Sequence, residues 1–143
     1  MKQNVQQSRN LVVLDGDVQA CIETKGGSTA AGNSFILSDC LKYDKGIDVM
    51  HLHDYSYAVM IRLRADPEQC MQATHSGVLE HGAWLRVYPC DPNNPLQRFN
   101  AIGTLQLENT EWCVAYWGMT ANHDENHIML KKCETVDYGW SHD

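Results

Sequence analysis

The sequence predicts an all-β protein made of three similar units, each stapled by a disulfide and arranged about a pseudo-threefold axis. Three observations carry this. The six cysteines fall into pairs 19, 20 and 20 residues apart, and the pairs recur at intervals of 49 and 43 residues, a spacing that signals a repeat architecture. Short apolar runs flank every pair, and Ile61-Arg62-Leu63-Arg64 and Leu105-Gln106-Leu107-Glu108 alternate with period two, as half-buried strands do. No stretch sustains apolar residues at helical spacing between caps.

The elements follow in order. Residues 1–10, MKQNVQQSRN, form a polar N-terminal tail without an apolar core segment, so no secretory signal is expected here. The first unit, about 11–52, opens with the strand-like NLVVLDG, and Asp15-Gly16-Asp17 is a hairpin-turn signal. Cys21 follows, then the Gly- and Asn-bearing loop KGGSTAAGN and the strand SFILSDC, which ends at Cys40. The second unit, about 53–99, repeats the order: YAVMIRLRA, Cys70, HSGVLEHG, and WLRVYPC ending at Cys90. The third, about 100–143, runs IGTLQLEN, Cys113, GMTANHDEN, and HIMLKKC ending at Cys133. An apolar residue follows each first cysteine, in CIE, CMQ and CVA. Of the connectivities that six cysteines allow, the repeat selects Cys21–Cys40, Cys70–Cys90 and Cys113–Cys133. One unit of about four short strands cannot bury its own apolar face, whereas three can close a small barrel and remove its edges.

Composition narrows the function. With 143 residues and 43% hydrophobic content, the chain suits one folded domain. A net charge of -7 with scattered Lys and Arg argues against nucleic acid as a partner. No apolar run approaches the roughly 20 residues of a membrane helix. The cysteine density points to an oxidising, extracellular compartment; the signal would then have been removed, or the chain is a piece of a longer secreted protein. Six reduced, buried thiols in a cytosolic protein are the competing reading. Zinc fits poorly, since no two cysteines lie within four residues of each other.

The second unit ends in LQRF, with Gln97 two residues before Phe99. Together with the cysteine spacing and GTLQLENTEWCV, this motif makes Leu11 to Trp140 resemble the ricin-type (R-type) lectin domain, a β-trefoil. The resemblance implies that Gln97 hydrogen-bonds the backbone of its own unit and that Phe99 fills the core. Asp48-Val49-Met50 and Tyr138-Gly139-Trp140 stand where the other two motifs belong, with Met50 and Trp140 left to supply core bulk. It also implies non-catalytic binding of galactose-type sugars. In that family an acid lies two residues after the first cysteine, an aromatic ring two before the second, and a polar residue just before the Gln-x-aromatic motif. Carried onto this chain, the positions are Glu23, Ser38 and Ile47 in the first unit, Gln72, Tyr88 and Leu96 in the second, and Ala115, Lys131 and Asp137 in the third. Arg86 shares a strand face with Tyr88. The sugar-binding candidates are therefore Gln72, Arg86, Tyr88 and Glu23. The implied partner is a glycan or glycoprotein, with the domain as an accessory or targeting module of a larger secreted protein. The alternative is a domain with degenerate sugar sites that serves as a protein-interaction or structural subunit of an assembly.

Other constellations are weaker. His51-x-His53 is half a metal site without an evident acidic or cysteine partner, and Asn122 to His127 reads as an exposed polar loop, so no metal is expected. Trp84 and Trp112 read as core or rim packing rather than ligand platforms. Tyr116 and Trp117 lie beside the third loop, out of register with the sugar position. No nucleophile elbow, P-loop or dinucleotide motif occurs, so neither enzyme activity nor a cofactor is expected. The absence of an Asn-x-Ser/Thr sequon leaves no face to be masked by N-glycans.

Overall fold

The structure, a computed structural model, describes residues 4–6, 11–15, 18–38, 47–52, 57–74, 77–116, 127–136 and 140–142. The described residues form thirteen strands and no α-helix. In order they are β1 (Asn4–Gln6), β2 (Leu11–Asp15), β3 (Val18–Thr24), β4 (Phe35–Ser38), β5 (Ile47–His51), β6 (Ala58–Leu63) and β7 (Gln69–Ala73). They continue as β8 (Leu85–Pro89), β9 (Phe99–Ile102), β10 (Thr104–Leu107), β11 (Trp112–Tyr116), β12 (Ile128–Lys132) and β13 (Trp140–His142). The segment read as a polar tail contributes β1, which pairs with β5.

The sheet topology corrects the expected β-trefoil. The strands do not divide into three equal units. Nine belong to one sheet, whose main path β1-β5-β6-β9-β10-β11-β12 is a nearly closed, barrel-like run of seven antiparallel strands, with β7 and β8 attached off β6. The other four form a separate sheet in the order β13-β2-β3-β4. The reason lies in backbone edges rather than spacing. β6 pairs along its length with β5, at its start with β9 (Ala58 opposite Asn100) and near its end with β7 (Arg62 opposite Cys70). It thus joins chain segments that the sequence repeat assigns to different units. The first unit's β2 to β4 take β13 as their neighbour instead.

The repeat survives locally as three matching antiparallel pairs. Cys21 lies opposite Ser38 in β3–β4, Cys70 opposite Tyr88 in β7–β8, and Cys113 opposite Lys131 in β11–β12. The pairs meet through single bridges: Ser34 with Arg86, Trp84 with Met129, and Ile36 with His127. Gly32 and Gly82 play the same part in successive loops. Both hold positive φ, 91° and 87°, a region that disfavours a Cβ. Their N–H groups donate to Val87 O at 2.7 Å and Leu130 O at 2.8 Å.

Alternation places the core. Val59, Ile61 and Leu63 of β6 face the main core with Val49, Phe99, Leu105 and Leu107, while Ala58 and Met60 join a smaller cluster with Met50, Leu52 and Cys70. This leaves β6 buried on both faces over its first four residues. Phe99 pairs with Leu107 across β9–β10, and both are buried. The side chain of Trp140, also expected in the core, lies outside what is described. Asp48 is buried and receives Arg62 at 3.0 Å and Arg64 at 2.9 Å.

Cys70–Cys90 and Cys113–Cys133 are disulfides, as the spacing predicts. Cys21 is also disulfide-bonded, and its expected partner Cys40 lies outside the described residues. Two such bridges are consistent with an oxidising compartment. No helix among the described residues is long and apolar enough to cross a membrane.

Candidate functional site

Strand pairing decides which candidate residues meet. In β7–β8, Cys70 lies opposite Tyr88 and Gln72 opposite Arg86. Directly opposed residues project from the same face. The alternate residues Met71, Ala73, Leu85 and Val87 all enter the main core. Gln72, Arg86 and Tyr88 therefore share the outer face, and all three are partly exposed.

The turn after β8 holds this face in place. In DPNNP, Asp91 Oδ1 accepts from Asn93 N at 3.0 Å, and Asn94 Oδ1 accepts from Leu96 N at 2.9 Å at the start of a short 3₁₀ turn, Pro95–Gln97. These are the local side-chain-to-backbone bonds for which Asp and Asn are favoured in turns. The turn delivers Gln97 into the interior at 0% exposure. Its Oε1 accepts from Asp91 N at 2.8 Å, and its Nε2 donates to Pro89 O at 2.9 Å and to Gln72 Oε1 at 3.1 Å. The backbone role implied for Gln97 is thus present in the structure. Arg98 reinforces the same turn, donating to Pro92 O at 2.9 Å while its Nε meets Glu108 at 2.9 Å.

Gln72 Oε1 accepts a second bond from Asn94 Nδ2 at 3.1 Å, and Gln72 Nε2 donates to Thr74 O at 3.2 Å. The result is a rigid carboxamide cluster of Gln72, Asn94 and Gln97 beside Tyr88. Asn94 lies outside the positions that the resemblance assigns to a site. The position just before the motif belongs to Leu96, which packs against the main core; the polar group of the site comes from two residues earlier.

Arg86 reaches away from β7. Its Nη1 donates to Gly32 O at 2.9 Å, and its guanidinium lies 5.4 Å from the ring centroid of Trp84. Trp84, 39% exposed, stacks in turn on His127 at 3.6 Å with 7° between the planes. This Arg–Trp–His stack sits where the three strand pairs meet. Trp112 is half-buried at the rim under Lys132.

The positions equivalent to Gln72 elsewhere also lie on the face away from the main core, but there that face is covered. Glu23 lies opposite Ile36 at 1% exposure, and Ala115 lies opposite Met129 at 0%. Ile47 and Tyr116 are buried as well, and Lys131 is half-buried. The side chain of Ser38, and Asp137, His53, Trp117 and residues 122–126, lie outside the described residues. His127 is buried and His51 half-buried. No cluster of three metal-ligating side chains occurs among the described residues.

No family model, curated protein or solved structure matches the chain.

Proposed function

We propose that this is a secreted, non-catalytic carbohydrate-binding protein whose ligand lies on the outer face of β7–β8. The observation that carries the reading is the partly exposed ring of Tyr88 on the same face as a carboxamide cluster locked from beneath by buried Gln97. An aromatic face suits the C–H side of a sugar ring, and fixed amides suit its polar groups. Only the partly exposed side chains of Gln72, Arg86 and Tyr88 are offered here, so a single site binds weakly, on the order of millimolar. Useful avidity then comes from several copies, by association or within a larger chain. A glycan array followed by NMR titration tests this. The expected result is amide shifts confined to the surroundings of Tyr88, abolished by Tyr88→Ala in a folded protein.

A second reading is a protein-interaction or structural subunit. It is favoured by the burial of Glu23 and Ala115, which leaves at most one of the three equivalent positions with the partly exposed polar group a sugar needs. Absence of sugar-induced shifts at tens of millimolar ligand would decide for it.

A further inference from the structure

The polarity of the β7–β8 face identifies a narrower ligand class. Gln97 is tied to two backbone groups of fixed character: Asp91 N–H can only donate and Pro89 O can only accept. The Gln97 amide is therefore oriented with Nε2 toward Gln72. The atom of Gln72 that meets it must be the oxygen. That oxygen also accepts from Asn94 Nδ2, so both of its lone pairs are filled. Gln72 has nothing left with which to accept a sugar hydroxyl. One N–H of its Nε2 goes to Thr74 O, and the other remains as a donor.

Directly opposite stands Arg86, with Cβ atoms about 5 Å apart in such a pair. Among the described arginines, Arg62 and Arg64 share Asp48, and Arg98 holds Glu108. Arg86 has no carboxylate partner among the described residues. Among the described residues, a backbone carbonyl and the Trp84 face hold it, and most of its five donors are left for a ligand. This is notable in a chain with 18 acidic and 11 basic residues. Tyr88 lies two residues further along β8, about 7 Å away at strand rise.

We infer that this face takes the carboxylate of an acidic sugar, a uronic or sialic acid, with the carboxylate held by Arg86, a sugar oxygen accepting from the Gln72 N–H and the sugar ring near Tyr88. The inference rests on the carbohydrate-binding reading above and replaces the galactose-type class, which needs an acceptor at position 72. The overall negative charge does not oppose it at contact range. Surface charges are screened beyond about 8 Å at physiological ionic strength, whereas a charge-assisted hydrogen bond acts at contact.

The test is NMR titration of the disulfide-intact chain with the methyl glycosides of glucuronic acid and N-acetylneuraminic acid, against those of glucose and galactose. At least one acidic glycoside is expected to bind about tenfold or more tightly than the neutral ones, the gain of one charge-assisted contact. It should shift the Gln72 side-chain amide with the backbone of Arg86 and Tyr88, and its affinity should fall as salt is raised. Gln72→Glu keeps an acceptor for Gln97 and Asn94 but places a carboxylate opposite Arg86. It should remove the acid preference in a folded protein, as should Arg86→Gln. Neutral glycosides binding at Tyr88 as tightly as the acids would overturn the acid preference and leave the carbohydrate reading standing. Failure of all four glycosides to bind would overturn both.

Discussion

Replacing Gln97 by leucine is the sharpest test of how the β7–β8 face is held. The substitution keeps the volume of a fully buried side chain and removes three hydrogen bonds, to Asp91 N, Pro89 O and Gln72 Oε1. At about 1 kcal/mol net per bond, the loss is about 3 kcal/mol. Two opposing effects of similar size modify this. The freed backbone groups belong to exposed residues and recover part of their bonding from water, and the leucine gains apolar burial. Leaving Gln72 Oε1 with one donor, Asn94 Nδ2, in place of two adds to the cost. The expected destabilisation is about 2–4 kcal/mol. In a urea titration with disulfides intact, and a slope of about 2 kcal/mol per molar, the midpoint should fall by about 1–2 M with the slope unchanged. Gln97→Glu sharpens the experiment. One carboxylate oxygen can still accept from Asp91 N, but the other faces two acceptors, Pro89 O and Gln72 Oε1. The folded state therefore favours the protonated acid, raising its pKa above the unfolded value near 4.3. Stability of this variant should be greatest below about pH 4 and decline as pH rises through the folded pKa, relative to wild type. A loss below about 1 kcal/mol for Gln97→Leu would refute the argument, because it would mean the carboxamide cluster does not anchor the turn.

Three further outcomes follow from the packing. Phe99→Ala should cost about 3–5 kcal/mol in the same titration, because the ring is fully buried against the main core; a cost under about 1 kcal/mol would contradict that placement. Asp48→Asn should cost about 2 kcal/mol, since it leaves two partly exposed guanidinium groups facing each other without their shared carboxylate, and raising the salt concentration should shrink the deficit; a salt-independent loss would assign the cost to something other than charge. Gly82→Ala should cost about 1–2 kcal/mol through backbone strain alone, since open space surrounds its Cβ position and φ is 87°. Gly82→Asn should recover part of that; a larger penalty for Asn than for Ala would argue against a conformational origin.

How far the sequence reaches can be seen residue by residue. Cysteine spacing was sufficient for the Cys70–Cys90 and Cys113–Cys133 bridges, because each joins the ends of adjacent antiparallel strands, a local geometry. Period-two alternation was sufficient for the inward faces of β6 and β10, because a pleated strand turns alternate side chains to one side whatever its neighbours. The Gln97-x-Phe99 motif carried both of its packing roles. The overall topology was not legible. Which edges β6 offers to β9 and β7 depends on contacts far apart in the chain, and the equal spacing of the cysteines contains no record of them. The site divides the same way. Alternation placed Arg86 and Tyr88 on one face, but only the tertiary structure decided that Glu23 is buried, that Asn94 joins the cluster, and that Gln72 turns its oxygen inward. Each depends on a partner from a different strand or turn. The residue type at a position supplies the hydrogen-bonding groups, and the folded neighbours decide which of them remain for a ligand.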